Sequence, residues 1–398
     1  MDSYLLHSVE AENVRDSYSA FDTVDFHLDF DGRALICGSV RLEAECQILD
    51  SNSAPLTGDV VAGRVSNDPI IGGHSFCQSW ITSFQKTGLV ENLVEYPRYA
   101  AMVASGSMTQ NDLMSAEMVA EGRSPDWRIQ QKVVLPRVPA DVGGGAAGTL
   151  HNGSGQAPNA DANDASRFAP VNPDFSIRPL IAINNVASPN ALLNYSTTGQ
   201  VKLSVNLERD NVALYGMSYS NHQFRLINMR LTFASVPAVP KQLPIAMKSH
   251  LCLKSTINSA LSNVSSKVPA VCDSVAISFL TQTREVDGLF KNTELEKLPS
   301  LDKVRFMFND STNKYISYEI ETIPEAIGEG VKAAMNRNGA SKTMARDDLL
   351  SANKGFMLGL DFNQAIDLSK QKFNVQLESA TAIDPMNMYS YYSSLITL

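Results

Sequence analysis

One stretch, Thr23–Leu49, constrains this chain more than any other: TVDFHLDFDGRALICGSVRLEAECQIL. Val24, Phe26, Leu28 and Phe30 alternate with Asp25, His27 and Asp29. After Asp31-Gly32, the set Ile36, Gly38, Val40, Leu42, Ala44, Cys46 and Ile48 alternates with Cys37, Ser39, Arg41, Glu43, Glu45 and Gln47. A two-residue rhythm puts one set on a buried sheet face and the other in solvent. Asp31-Gly32 has the chemistry of a tight turn, so the stretch reads as a long antiparallel hairpin, apolar on one side. Such a hairpin is not stable alone and requires a second sheet over its apolar face.

The same rhythm recurs along the chain. Strands are expected at His74–Gln85, Leu89–Val94, Phe175–Asn184, Val201–Leu207 and Phe224–Phe233. In the last of these the apolar phase slips from Phe224/Leu226 to Met229/Leu231/Phe233, the signature of a β-bulge. Further strands are expected at His250–Ile257, Val268–Thr283, Val304–Phe308, Tyr315–Glu321, Phe356–Phe362, Phe373–Leu377 and Met388–Leu398. A turn at Asn309–Asn313 joins Val304–Phe308 to Tyr315–Glu321. Helices are few: Arg98–Ala104 behind Pro97, Gln110–Ala120 behind Thr109, and Glu325–Met335 behind Pro324. Many short strands at regular spacing read as a mainly β chain of two successive sandwiches. A length of 398 residues exceeds what one core usually supports. Ser235–Ile245 holds Pro237, Pro240 and Pro244, which stiffen an extended linker. The expected division is an N-terminal arm at 1–20, a first domain at 21–235, a linker at 236–247 and a second domain at 248–398. Within the first domain, 121–172 is low in complexity and polar, and reads as a long surface loop.

Chemistry is sparse. A net charge of −9 with dispersed Lys and Arg argues against a dominant nucleic-acid surface. The five cysteines, Cys37, Cys46, Cys77, Cys252 and Cys272, form no CxxC pair and read as reduced, mostly buried thiols. Gly143, Gly145 and Gly148 fit a GxGxxG spacing, but the polar low-complexity sequence around them offers no strand-to-helix turn for a dinucleotide. The six histidines show no metal-ligand spacing. Asp25, His27 and Asp29 share a strand face and could hold a metal or do acid–base work, against the plainer reading of a solvated face or subunit contact. Trp80 reads as core, and Trp127, in a loop, as an interface anchor. No signal peptide, membrane span, P-loop, GxSxG or HExxH is present, so a chain made in a cytoplasm is expected, with no catalytic, cofactor-binding or metal-ligating residues.

Two β-sandwiches joined by a Pro-rich linker resemble the double jelly-roll major capsid proteins of icosahedral double-stranded DNA viruses and their tailless phage relatives. The resemblance rests on Ile70–Met102, a strand pair turning into a helix, on Lys303–Glu321, and on the ending Met388–Leu398. It implies two eight-stranded jelly rolls with short helices in the connections. It implies homotrimers forming pseudo-hexameric capsomers, with neighbouring capsomers, penton and minor capsid proteins and an internal membrane as partners, and no sequence-specific nucleic acid. It implies a place in the virion shell, with the long loops at the outer crown. Two competing readings are a penton or minor capsid or spike protein, and a β-sandwich carbohydrate-binding protein or hydrolase.

Overall fold

The computed structural model describes residues 4–55, 65–68, 71–107, 120–123, 174–186, 188, 191–216, 221–285, 295–308, 317–320, 323–335 and 356–398. Of the expected loop 121–172, residues 124–172, with Gly143, Gly145, Gly148 and Trp127, lie outside them, as do residues 110–119 of the expected helix Gln110–Ala120 and the turn Asn309–Asn313.

The second half is the simpler. One four-stranded sheet runs β14 (Ala246–Ile257), β21 (Met386–Thr397), β16 (Val271–Thr281), β19 (Leu358–Asp367). The other runs β15 (Leu261–Ser266), β20 (Phe373–Ser379), β17 (Leu301–Phe308), β18 (Ser317–Ile320). Lettering these eight strands B to I in chain order gives B-I-D-G opposite C-H-E-F, the connectivity of a jelly roll. Every pairing is antiparallel. Phe279, Phe306, Phe373, Met388 and Tyr392 fill the space between the sheets.

The first half repeats that plan with interruptions. Its smaller sheet is β3 (Thr23–Leu28), β11 (Val201–Leu207), β7 (Cys77–Phe84), β8 (Gly88–Val94): C-H-E-F again. Its larger sheet holds seven pieces that fall into four rows. The long β13 (Gln223–Pro237) is flanked on one side by β1 (Leu5–Glu10) and β2 (Tyr18–Ser19). On its other side lie β5 (Arg41–Leu49) and β4 (Arg33–Ile36). Beyond them, β9 (Asp174–Ile177) pairs β5 and β10 (Leu192–Asn194) pairs β4. The rows are B, I, D and G, with B, D and G each broken once. A small ribbon, β6 (Val65–Asn67) with β12 (Leu214–Gly216), stands apart.

Thr23–Leu49 is not a hairpin: β3 pairs β11, whereas β5 pairs β13 and β9, so its two arms belong to opposite sheets. Alternation specifies which face is buried, and says nothing about which strand lies alongside. The turn at Asp31-Gly32 leads into β4, and Gly38, at φ +85°, then resets the phase. Cys37, expected outside, is consequently buried with Leu35 and Val40.

Nor is the start of the chain a loose arm. β1 pairs β13 over six residues, and the His7 ring stacks on Phe233 at 4.5 Å. Its periodicity is faint because an edge strand buries only one weakly apolar face, here His7 and Val9. Removing residues 1–10 is therefore expected to cost about 2 kcal/mol, from exposing Phe233 and a sheet edge. Urea denaturation checks this; an arm would be lost without effect.

The phase slip in Phe224–Phe233 is the expected bulge: register shifts between Ile227 and Arg230, with Asn228 at φ +54°. All five cysteines are free and buried. Burial pushes Cys37, Cys252 and Cys272 up to about 12, far from a reactive thiolate. Trp80 is core. Residues of the expected strand His74–Gln85 split, with a 3-10 turn at Gly72–Phe76 before β7.

Candidate functional site

Both rolls place a helix directly after strand F. In the first, α1 (Tyr96–Ser107) follows β8; in the second, α2 (Ile323–Met335) follows β18. Glu95, at φ +54°, turns the chain from strand to helix, and Pro97 suits the first helical turn. α1 and α2 touch each other, and β8 touches β14. The rolls meet through these elements. Ile327, Gly330 and Ala333 lie three residues apart on one face of α2. That face is pressed so closely on β19 that a Cβ at Gly330 would lie 2.4 Å from the Leu358 carbonyl carbon.

The seam is built from large side chains with polar tips. The Tyr99 hydroxyl hydrogen-bonds His250 Nε2 at 2.9 Å, and the Tyr99 and Tyr391 rings lie 5.4 Å apart. Tyr391 donates to the Glu95 carbonyl at 2.8 Å, and the Arg98 guanidinium sits 4.4 Å above the Tyr389 ring. Glu91, 3% exposed, accepts from the backbone N–H of Ala182 at 2.7 Å and from that of His250 at 3.0 Å, one in each half of the chain. Burial pushes its carboxyl up to about 8, although both amides favour the charged form. Burial also holds His250 down at about 3, so it is neutral, with Lys248 reinforcing the effect. At the seam's rim Lys254 bonds Glu285, whose other oxygen accepts from Asn387 Nδ2 at 2.6 Å. Arg209 reaches Glu285 at 4.0 Å from the first half, and Glu208 beside it is pushed by burial up to about 7.

A second buried cluster fastens residues 120–123 to the first roll. Leu180 N–H donates to the Tyr96 hydroxyl at 3.0 Å, leaving that hydroxyl to donate to His74 Nδ1 at 2.6 Å. His74 Nε2 then points at Glu121, 3.6 Å away, which accepts from Arg123 Nε at 2.7 Å. Burial alone would raise Glu121; His74 and Arg123 outweigh it and hold the carboxyl at about 2. The Gly73 N–H also bonds the Glu121 carbonyl at 2.7 Å. This arrangement is a fastening: its polar groups are spent on one another and on the backbone.

The sequence-selected row Asp25, His27 and Asp29 does not converge. Asp25 pairs with Lys202 at 3.3 Å and with Ser204, and His27 pairs with Glu12 at 2.5 Å. Among the described residues no group of three or more His, Cys, Asp or Glu side chains could hold a metal ion. An open cleft of about 800 Å³ lies over the outer face of the first B-I-D-G sheet, where Glu43 pairs Arg230 and Glu45 accepts from Asn228. Sequence reading missed the seam. One signal was available: Glu91 shares a strand face with the buried Leu93, an acid in an apolar phase.

No known family's sequence profile matches the chain, and no curated protein matches it. Solved structures do. The Faustovirus major capsid protein matches with a TM-score of 0.58 at 8% identity, over 100% of this chain and 90% of its own. A chain of the Sputnik virophage matches with a TM-score of 0.56 at 9% identity, over 100% of this chain and 86% of its own. PBCV-1 VP54, fitted into a reconstruction of that virophage, matches equally well over 95% of its length. At such identities the likeness is one of backbone, and it spans both rolls and the seam between them: this chain has the double jelly-roll fold of the Faustovirus major capsid protein.

Proposed function

We propose that the protein is a major capsid protein whose trimers tile an icosahedral virion shell. The observation that carries this reading is the pair of rolls with the same strand order, locked together by one buried seam. Two like rolls per chain let three chains present six like corners, which is the geometry of a pseudo-hexameric capsomer closed by threefold symmetry. The division we assign is a first roll to about residue 235, a linker at 236–247 and a second roll beyond it, with β1 included in the first. The role is structural and non-catalytic. Neighbouring capsomers, penton and minor capsid proteins are the partners this role requires, an internal membrane one that it accommodates, and the virion is its place. The acids of the Asp25 row are already engaged in strand contacts, which disfavours a glycan-binding face.

The test is the mass of the purified protein. Light scattering is expected to give three chains of 43.3 kDa, about 130 kDa, with six-cornered particles in electron micrographs. Pentamers would replace the reading with a penton protein, and a monomer at all concentrations would end it.

A further inference from the structure

The edge strand β1 meets its neighbour through a side-chain hydrogen bond whose direction is fixed by a third residue. His7 Nε2 and the Ser235 hydroxyl lie 2.7 Å apart. The same hydroxyl accepts from Arg33 Nε at 2.7 Å, and Arg33 also donates to the Ser235 carbonyl at 3.1 Å. Arg33 can only donate, so the hydroxyl hydrogen must go elsewhere. Ser235 is fully buried, and among the described residues His7 Nε2 is the acceptor that hydroxyl can reach. The hydroxyl therefore donates to His7, which takes the bond as a neutral imidazole with no hydrogen on Nε2. A protonated His7 carries hydrogen on both ring nitrogens. It would leave the buried Ser235 hydrogen without an acceptor and set a second cation beside Arg33 on one oxygen.

We propose that this bond is an acid-sensitive clasp, which lets β1 peel from β13 while the rest of the first roll stays folded. The groups facing His7 set its sign. Phe233 on β13 stacks on the ring at 4.5 Å. Arg33 on β4 opposes a positive charge there, and Asp29, just after β3, favours one. Asp25 and His27 of β3 are engaged with Lys202 and Glu12. Burial and Arg33 outweigh Asp29, so the imidazole is held below its ordinary value of 6.5. A detached β1 takes up the proton first, and detachment is favoured as pH falls below about 6.5. The remainder of β1 holds weakly. Of its six residues only His7 and Val9 are half-buried, and Leu5 and Leu6 are exposed. Beyond it Ala11 is buried and Glu12 N–H bonds the Asp25 carbonyl at 2.8 Å, so the strap is fixed at one end. Opening it uncovers the β13 edge from Arg230 to Ser235.

Hydrogen exchange of the whole protein, read peptide by peptide, tests the clasp. Protection of β1, corrected for the intrinsic exchange rate, is expected to fall about threefold or more between about pH 7.5 and about pH 5, while that of β16 does not fall with it. His7→Gln keeps an acceptor and does not titrate; His7→Phe keeps a ring to stack on Phe233 and does not titrate. In both variants the protection of β1 is expected to be the same at the two pH values. Wild-type β1 protection that does not change with pH would overturn the clasp. Equal falls in the wild type and in either folded variant would place the sensitive group elsewhere and overturn it too. A fall in β16 as large as that in β1 would show acid unfolding of the whole chain, with the same consequence.

Discussion

Gly330→Val is expected to lower stability by about 3 kcal/mol or more, a large part of the 5–15 kcal/mol typical of a folded domain. A Cβ there would lie 2.4 Å from the Leu358 carbonyl carbon and 2.6 Å from its oxygen. These are backbone atoms of β19, and β19 is held in place by β16. Relief by rotating a side chain is not available. Gly359, on the strand, is equally confined, since a Cβ there would meet the Val275 carbonyl oxygen at 2.4 Å. The helix must therefore lift from the sheet, and with it the α1–α2 contact at the seam. Gly328, two residues away on α2, has nothing within 4 Å of the added atom. Gly328→Ala should accordingly stabilise by about 0.5–1 kcal/mol, because alanine favours the helix. Denaturation midpoints of the two variants are expected to move in opposite directions. Equal midpoints for Gly330→Val and wild type would show that the close approach is not essential.

Stability should also fall as pH rises from about 6 to 9. The Glu91 carboxyl is pushed up to about 8 by burial, against 4.5 when unfolded. Between those values the folded chain retains a proton that the unfolded chain has released. Raising the pH therefore favours unfolding across that window, and the loss levels off above about 8. Glu208, pushed up to about 7, acts in the same direction over a narrower range. Glu121, held at about 2, has the opposite sign: its contribution is complete above about 4.5 and is lost as pH falls towards 2. His250, held down at about 3 against 6.5 when unfolded, opposes Glu91 below about 6.5, so the fall is steepest above that value and maximum stability lies near pH 6. At about 1.4 kcal/mol per pKa unit the Glu91 effect has an upper bound of roughly 4–5 kcal/mol. Thermal midpoints at pH 9 should be lower than those at pH 5.5 by about 5–10 °C. Glu91→Gln loses one acceptor for a backbone N–H, so its midpoint should be lower at pH 5.5. Its slope against pH should nevertheless be flatter than that of the wild type. A parallel slope would place the titrating group elsewhere.

What could be read from the residues was the rhythm of each strand taken singly. Val201–Leu207 was located to the residue, the bulge in β13 showed in its phase slip, and Pro324 marked the start of α2 within one residue. Partnership was hidden. Thr23–Leu49 looked like one hairpin because alternation is a local property, whereas its true neighbours arrive nearly 200 residues later. β1 was hidden because an edge strand needs only half a pattern. The seam was hidden most fully: Tyr99 and His250 are 151 positions apart, and each taken alone is an ordinary residue. Only the acid at Glu91, in phase with Leu93, broke a local rule.

In both rolls the first strand lies beside the last: Leu5 opposite Ser235, and Ala246 opposite Thr397. During synthesis, then, β1 waits for more than 200 residues before its ladder partner leaves the ribosome, and β14 for about 130. Pairings this distant form slowly, since the intervening chain must lose its freedom before the contact rewards it. Each nascent roll spends that interval with an unsatisfied apolar edge, when it is most exposed to aggregation and to chaperones. Yield of soluble protein should thus depend more on the rate of translation and on temperature than on the final stability of the shell.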